Sequence, residues 1–141
     1  MNSSEEVISA IDKYEKLEKK FADFAEAMKN IPVDNGYKVI AENFKKNNFN
    51  LVSCNRKINV IFNSFGTTGS KYLGKVSFEI PVSENENKEI FAVYFDDLGN
   101  NYFDLDGSCN PWTFTDKSFL EKLLIEVISA FLNEMAFTKS S

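Results

Sequence analysis

Apolar residues recur at intervals of three and four along the first part of the chain, residues 1–31. Heptad spacing of this kind places one apolar stripe along an α-helix. Ser3 and Glu6 fit a capping box at the start of the helix. Pro32 ends it near Asn30, because residues before a proline avoid the α region. The pattern predicts one long helix with the stripe Val7, Ala10, Tyr14, Leu17, Phe21, Phe24, Met28 and Ile31.

A second, shorter helix is predicted over residues 35–47. Asp34 is a good N-cap residue, because its carboxylate can accept a hydrogen bond from an unpaired backbone N–H group. The apolar stripe of this segment consists of Tyr37, Ile40, Ala41 and Phe44. We therefore expect two N-terminal helices.

From Phe49 onward the apolar period changes from helical spacing to two, which is typical of β-strands. The segments are separated by short polar turns, so the prediction is an antiparallel meander sheet of about five strands over residues 49–106. Residues 90–95 are apolar on both faces, which predicts a central strand. The expected strands are residues 49–54, 57–65, 76–82, 90–95 and 102–105.

The last helix is predicted over residues 116–137. Apolar residues cover most of its circumference, so it should be covered on two sides, by the sheet and by the first helix. We expect Leu124, Val127, Ile128 and Phe131 to be nearly fully buried. The whole chain, residues 1–141, is thus predicted to form a single α+β domain with its long C-terminal helix packed on the sheet.

Composition narrows the chemistry that the chain can perform. Its 141 residues can bury a sizeable core, and 14 of them are phenylalanine. Histidine is absent, which excludes the serine triads, cysteine–histidine dyads and common zinc sites that need an imidazole. Cys54 and Cys109 lack CxxC spacing; reduced, buried thiols are favoured, and a bridge between them stays open.

The acidic N-terminus and the lack of an apolar run of about 18 residues predict a cytoplasmic protein without a transmembrane helix.

The segment from Gly69 to Lys75 matches GxxxxGK, the start of the phosphate-binding loop of nucleotide hydrolases. That loop needs a Ser or Thr next, to bind Mg²⁺, and a helix whose N-terminal amides face the phosphates. Here Val76 follows Lys75, and the next segment is a predicted strand. We therefore interpret the segment as a hairpin loop that does not bind nucleotide.

Five residues in a short stretch could suggest calcium: Asp96, Asp97, Asp104, Asp106 and Gly107. Their spacing does not fit an EF-hand, which needs alternating oxygen ligands and a closing glutamate between two helices. A carboxylate pair for glycoside hydrolysis remains a remote alternative. Turn-capping carboxylates are the favoured interpretation, and no catalytic residue, cofactor or metal is predicted.

Charge is segregated along the chain. Residues 43–78 contain no acid and six bases, whereas residues 79–106 contain eight acids and one lysine. The favoured explanation is attraction between basic and acidic strands of one sheet. The alternative is an acidic surface that steers a basic partner. In that case the partner-binding residues would be Asp96, Asp97, Asp104 and Asp106, which flank a single predicted hairpin.

These observations predict a small non-catalytic protein-binding module. Its closest functional class is the stoichiometric inhibitor, as in toxin-immunity proteins or anti-CRISPR-like phage anti-defence proteins, by analogy at the level of class. The expected partner is a basic protein. With Arg56 as the single arginine and a net charge of −5, nucleic acid is not expected as a direct partner, nor is a membrane. The alternatives are a secretion-type chaperone or adaptor that forms a homodimer through the N-terminal helix, and a small-ligand-binding domain.

Overall fold

The computed structural model describes residues 4–31, 39–66, 72–105, 107 and 109–140, with only the backbone described for residues 136–140. Within these residues a helix begins the fold, strands follow, and a second helix ends it. The elements are α1 (Ser4–Lys29), β1 (Ile40–Glu42), β2 (Asn48–Ser53), β3 (Arg56–Gly66), β4 (Tyr72–Ser83), β5 (Glu86–Phe95), β6 (Asn101–Tyr102) and α2 (Lys117–Ser140).

The six strands form one sheet in the order β1-β2-β3-β4-β5-β6, and each strand is antiparallel to the next. The predicted α+β class and antiparallel meander are confirmed. The prediction of a central strand over residues 90–95 is wrong. β5 is the last long strand, and it pairs with β6 only at Tyr94 and Phe95. Its outward apolar residues are thus surface residues.

The predicted second N-terminal helix is also wrong, as far as the structure describes it. Residues Ile40–Glu42 form β1, where Ile40 pairs with Val52 and Ala41 pairs with Leu51. Pairing with the edge of β2 gives the backbone N–H and C=O groups of this segment hydrogen-bond partners. These hydrogen bonds outweigh the weak helical preference that its apolar spacing indicates. Residues 35–38 and the proposed cap Asp34 lie outside the described residues.

The sheet buries one face and exposes the other because side chains alternate along each strand. We call the face that packs against both helices the inner face. Its strand residues are Phe49, Leu51, Ile58, Val60, Phe62, Val76, Phe78, Val93 and Phe95, all buried in the same hydrophobic cluster as α1 and α2.

Aromatic rings join the layers of this core. Phe114 precedes α2 and stacks on Phe24 of α1, at 4.5 Å between ring centroids, and on Phe95 of β5, at 4.4 Å. The ring of Phe95 lies over Gly74, where an added Cβ atom would overlap it. In the GxxxxGK-like segment this glycine therefore makes room for a core aromatic ring. The strand predicted at Val76 is confirmed as part of β4, but the interpretation of the preceding residues as a hairpin loop is wrong from Tyr72 onward, because they already pair with β3. Residues 69–71 lie outside the described residues.

The C-terminal helix α2 is a major part of the core. Leu124, Val127 and Phe131 are buried as predicted, and Ile128 is half-buried. Asp116 caps the helix, because its Oδ1 accepts a hydrogen bond of 3.1 Å from the Ser118 N–H group. The predicted cover on two sides is incomplete, since the apolar Leu132 is half-exposed.

Both cysteines are free, as favoured from the sequence, but the prediction that they are buried is wrong. Cys54 and Asn55 form the two-residue turn between β2 and β3, with φ angles of 54° and 60°. Positive φ angles at both central residues are typical of a tight hairpin turn, which exposes the side chains at its tip. Cys109 lies exposed in the connection between β6 and α2.

Candidate protein-binding surface

The face of the sheet that points away from the helices is called the outer face here. Alternation and the strand register assign its residues, because each neighbour of an inner-face residue points outward. Neither described helix packs on it. The outer face of β2 to β6 consists of Asn48, Asn50, Val52, Lys57, Asn59, Ile61, Asn63, Phe65, Leu73, Lys75, Ser77, Glu79, Glu89, Ala92, Tyr94 and Tyr102.

Asparagine side chains form a hydrogen-bonded ladder at one side of the outer face. The Nδ2 group of Asn43 donates to Oδ1 of Asn50 at 3.2 Å. The Nδ2 group of Asn50 then donates to Oδ1 of Asn59, its register partner on β3, at 2.8 Å. In such a ladder, side-chain amides on neighbouring strands hydrogen-bond to each other and so stabilise the pairing of the strands. This side of the outer face is therefore ordered, polar and open to water.

An ionic cluster continues the polar row onto β4 and β5. Glu79 and Glu89 are register partners, and like charges at such positions repel each other. Ser77 lies between them and is 3% exposed; its Oγ is 2.6 Å from Glu89 Oε1 and 3.0 Å from Glu79 Oε2. Because a hydroxyl has one proton, Ser77 donates to one carboxylate at a time. The Nζ group of Lys75 offsets the repulsion at 2.8 Å from Glu89 Oε1.

This cluster shifts the titration of its members. Burial raises the pKa of Glu89, but hydrogen bonds from Lys75 and Ser77 outweigh burial, so the pKa of Glu89 lies below its ordinary value. The hydrogen bond to Glu89 raises the pKa of Lys75 above its ordinary value against the opposing effect of burial. Both groups are therefore held in their charged forms near neutral pH.

Aromatic residues occupy the other side of the outer face, and we call Phe65, Tyr94 and Tyr102 the aromatic zone. The ring centroids of Phe65 and Tyr94 are 5.9 Å apart in an edge-on arrangement. Tyr94 is the register partner of Tyr102, and the Nζ group of Lys75 lies 5.9 Å from the Tyr94 ring centroid. All three rings are half-buried. They form an apolar area within a polar surface.

The aromatic zone adjoins the predicted acidic hairpin. Burial raises the pKa of the Tyr102 hydroxyl, and the charges of Asp96 and Cys109 raise it further. Asp96 follows Phe95, and Phe95 pairs with Asn101, the residue before Tyr102, so the register places Asp96 close to Tyr102. Asp96 and the aromatic zone are therefore neighbours at this end of the sheet.

Of the aspartates predicted to bind a partner, Asp96 has its carboxylate engaged by its own loop. Asp96 uses its carboxylate in the loop: Oδ1 accepts hydrogen bonds from the N–H groups of Leu98 and Asn100, and Oδ2 accepts one from the Asn100 side chain. The turn-capping interpretation is confirmed for this residue. The hairpin register pairs Phe95 with Asn101, so Asp96 lies next to Asn100.

Two of the other three aspartates, Asp97 and Asp104, lie within the described residues. Asp97 is exposed in the loop after β5, and Asp104 is exposed two residues beyond the end of β6. Asp104 is therefore not a cross-strand neighbour of Asp96. Asp106 lies outside the described residues. Two acids of the predicted site, Asp97 and Asp104, thus present their side chains to solvent at different points along the hairpin.

Within the described residues, an ion pair links the basic and acidic segments across neighbouring strands, as the favoured explanation of the charge pattern requires. This is the pair between Lys75 and Glu89. Other lysines pair with the helices instead: Lys46 with Glu18 of α1, and Lys88 with Glu134 of α2. Cross-strand attraction therefore accounts for part of the charge segregation only.

An open groove of about 680 Å³ lies between α2 and the ends of β3 and β4. Most of its lining side chains are apolar, and Arg56, Lys57 and Glu134 are the charged ones. The carboxylate of Glu134, which also lines the groove, pairs with Lys88 at 2.6 Å. The lining residues are Arg56, Lys57, Ile80, Pro81, Val82, Phe131, Glu134 and Met135.

Sequence reasoning missed the aromatic zone as a surface. The available signal was the apolar character of residues 90–95 on both faces, which we interpreted as burial in the centre of a sheet. Alternation along β5 puts Tyr94 on the outer face, where neither described helix packs. Which faces of the sheet the helices cover, which the apolar period does not encode, decided the outcome.

In the part of the chain that the structure describes, neither helix is long and apolar enough to cross a membrane. The described residues also contain no group of three or more carboxylate or thiol side chains arranged to hold a metal ion. The chain matches no protein-family model, no curated protein and no solved structure.

Proposed function

We propose that this chain is a non-catalytic protein-binding module that engages its partner through the aromatic zone of the outer face. The observation that carries the proposal is the position of Phe65, Tyr94 and Tyr102, half-buried on a sheet face that neither described helix covers. Tyrosine and phenylalanine are enriched at the centres of protein interfaces, where they combine a large apolar area with few rotatable bonds.

The surroundings of the aromatic zone support a protein partner. An interface core usually has a polar rim that remains accessible to solvent. Here the asparagine ladder and the cluster of Lys75, Ser77, Glu79 and Glu89 supply hydrogen-bonding groups beside the rings. These groups are already ordered by contacts with each other, so binding would require little additional ordering of side chains.

Charge favours a basic partner. Residues 79–106 carry eight acids and one lysine, and Asp96 lies near Tyr102. The exposed carboxylates of Asp97 and Asp104 extend this negative area beyond the rings. Opposite charge on a partner would increase the rate of encounter and align the two surfaces. The same negative charge disfavours nucleic acid.

Within this class we propose a stoichiometric inhibitor that acts in the cytoplasm, comparable to toxin-immunity proteins or anti-CRISPR-like proteins of phages. The analogy rests on the small acidic α+β chain and its charge pattern. The free, exposed thiols of Cys54 and Cys109 fit a reducing compartment.

Affinity capture with paired variants tests the proposal. The wild-type chain should retain a protein that Tyr94→Ala retains poorly, because the substitution removes the central ring of the aromatic zone. Phe44→Ala is the control, since Phe44 is 36% exposed and lies outside the outer face. Circular dichroism should show that both variants fold. Equal retention by wild type and Tyr94→Ala would contradict the proposal.

A second candidate function, small-ligand binding, is favoured by the groove beside α2. Its volume of about 680 Å³ lies within the range of ligand sites, and Arg56 lines it together with apolar side chains. An amphipathic carboxylate would fit this combination. A fatty acid that raises the melting temperature of the wild type, but not of Arg56→Ala, would favour this candidate.

A further inference from the structure

The sheet divides at one end, between β3 and β4. Pairing of these two strands ends at Asn59 with Glu79. Beyond this pair, residues 56–58 of β3 remain paired with β2, and residues 80–83 of β4 continue beside β5. The sheet therefore separates into two hairpins, and we call the gap between these two ranges the split. The groove beside α2 lies at the split, because both ranges contribute to its lining.

Pro81 explains the split. Continuing the register by two residues would place Lys57 opposite Pro81. The Phe62 N–H group donates to the Asn47 carbonyl on the β2 side, so alternate residues of β3 face β2 and Lys57, an odd number of positions away, faces β4. Proline has no N–H group to donate to the Lys57 carbonyl, and the ladder stops. Within the described residues, the N–H and C=O groups of Lys57 thus form a free edge of β3.

Apolar side chains line the groove beside this free edge. Phe131 of α2 is buried, Ile80 and Met135 are half-buried, and Val82 is 52% exposed. A strand that lies along β3 presents every second side chain to the inner side of the sheet. An apolar side chain on an added strand would therefore contact this lining.

Charge at the groove favours a carboxylate. Arg56 shares its side of β3 with the inner residue Ile58, because two residues separate them. It is exposed, and within the described residues it forms no ion pair. The carboxylate of Glu134 is already paired with Lys88 at 2.6 Å. A guanidinium group matches the geometry of a carboxylate, so an acidic group is the complementary occupant.

We propose that the groove receives an extended peptide segment of another protein, which adds as a strand to the free edge of β3. An acidic side chain of the segment lies opposite Arg56, and an apolar side chain two positions away lies opposite Ile58, against α2. A fatty acid would also match the lining and Arg56, but it would leave the backbone groups of Lys57 without partners. A peptide backbone supplies hydrogen bonds to such an edge.

The inference takes from the proposed function only the groove of its second candidate, with a peptide in place of the small ligand. The aromatic zone is independent of it. Phe65 pairs with Leu73 near the other end of the β3–β4 ladder, and the zone lies on the outer face. Failure of one proposal therefore leaves the other standing.

A titration followed by nuclear magnetic resonance tests the proposal with the peptide acetyl-Thr-Val-Thr-Glu-Thr-amide. It should shift the backbone amide signals of Lys57 and Ile58, because a strand forms at this edge. Glutamine in place of the peptide's glutamate should weaken binding roughly threefold, as for an exposed charge pair. Arg56→Gln should weaken binding of the glutamate peptide to the same extent. Lys45→Gln is the control for the loss of one positive charge and should bind as the wild type does.

Closing the split provides the second arm. Pro81→Val restores an N–H group opposite Lys57, so it should raise the melting temperature and abolish binding of the peptide. Unmoved Lys57 signals in the wild type at millimolar peptide would overturn the proposal, as would undiminished binding to a folded Pro81→Val variant. Palmitate that shifts the signals of Phe131 and Met135 where the peptide does not would assign the groove to a small ligand instead. Shifts confined to Tyr94 and Tyr102 would place the peptide on the outer face and also contradict the inference.

Discussion

The inner and outer faces of the sheet are built from the same strands, yet their residues differ in kind. On β4 the inner residues Val76 and Phe78 are completely buried, and both join the hydrophobic core. Between and beside them, Ser77 and Glu79 point outward into a network of hydrogen bonds and ion pairs. One residue along the chain thus separates a core position from a surface position.

This difference teaches that the two faces should respond differently to mutation. Inner positions gain their stability from apolar burial and close packing, so a truncated side chain leaves a cavity. Charged outer side chains such as Glu79 and Glu89 are exposed or half-buried, so water can replace their partners and their loss costs little folding free energy. If the outer face binds a partner, its residues should affect binding much more than stability.

The largest expected effect is on the inner face. Phe78→Ala should lower the free energy of unfolding by about 3–5 kcal/mol, because it removes a fully buried ring. Phe131→Ala, on the α2 side of the same core, should cost a similar amount. Denaturant unfolding followed by circular dichroism measures both. The neighbouring outer substitution Glu79→Gln is the control and should cost less than about 1 kcal/mol. If Phe78→Ala and Glu79→Gln lowered the free energy of unfolding by comparable amounts, the two faces would not differ in their contribution to stability.

An intermediate effect is expected on association rates. Replacing Asp97 and Asp104 by asparagine should slow association with a basic partner severalfold and weaken its salt dependence, with little change in stability. Asp96 is left intact because its carboxylate caps the loop. The control replaces Glu15 by glutamine and Asp23 by asparagine on α1, which changes net charge equally at a different place. Stopped-flow measurements at two ionic strengths compare the association rates of the two double variants. Equal rates would mean that the acidic hairpin acts only through the net charge of the protein.

The smallest effect concerns the ion pair of the outer face. Because folding lowers the pKa of Glu89, its charge stabilises the fold at pH values above the ordinary pKa of 4.5. This stabilisation is lost as the pH falls through the pKa of the folded state. Because folding raises the pKa of Lys75, its charge stabilises the fold at pH values below the ordinary pKa of 10.5. This stabilisation is lost as the pH rises through the pKa of the folded state. The pair therefore stabilises the fold between these limits.

Glu89→Gln should accordingly destabilise the protein by less than about 1 kcal/mol at neutral pH, since the pair is partly exposed. The difference from wild type should shrink as the pH falls through the folded-state pKa of Glu89, because the wild-type carboxylate then also becomes protonated. Glu86→Gln, on the same strand, controls for the loss of one acid. Urea unfolding at several pH values measures the difference. A pH-independent difference would mean that Glu89 acts through packing and not through its charge.

The fold was largely predictable because its long elements carry strong periodic signals. The heptad spacing predicted α1, and alternation predicted β2, β3 and β4 with small errors at their ends. The prediction of a second N-terminal helix failed because the apolar pattern of Ile40 and Ala41 fits a helical stripe and an edge strand equally well. Pairing with β2, a contact between segments, decided between these structures, and local spacing does not contain that information.

The candidate site was less predictable than the fold. Charge counting identified the acidic segment but not the role of Asp96, which depends on the loop conformation after β5. The aromatic zone requires knowledge of which strands are neighbours, since Tyr94 and Tyr102 meet only through their register. Likewise, the heptad spacing of α1 did not reveal that the sheet covers only the part from about Tyr14 onward.

The most direct test of the account is a calorimetric titration of the captured partner against wild type, Tyr94→Ala and Phe44→Ala. If the aromatic zone is the centre of the interface, Tyr94→Ala should weaken binding by about tenfold or more, as expected for an interface hot spot. It should keep its melting temperature within a few degrees, and Phe44→Ala should bind as the wild type does. Wild-type affinity in a folded Tyr94→Ala variant would contradict the assignment of partner binding to the outer face.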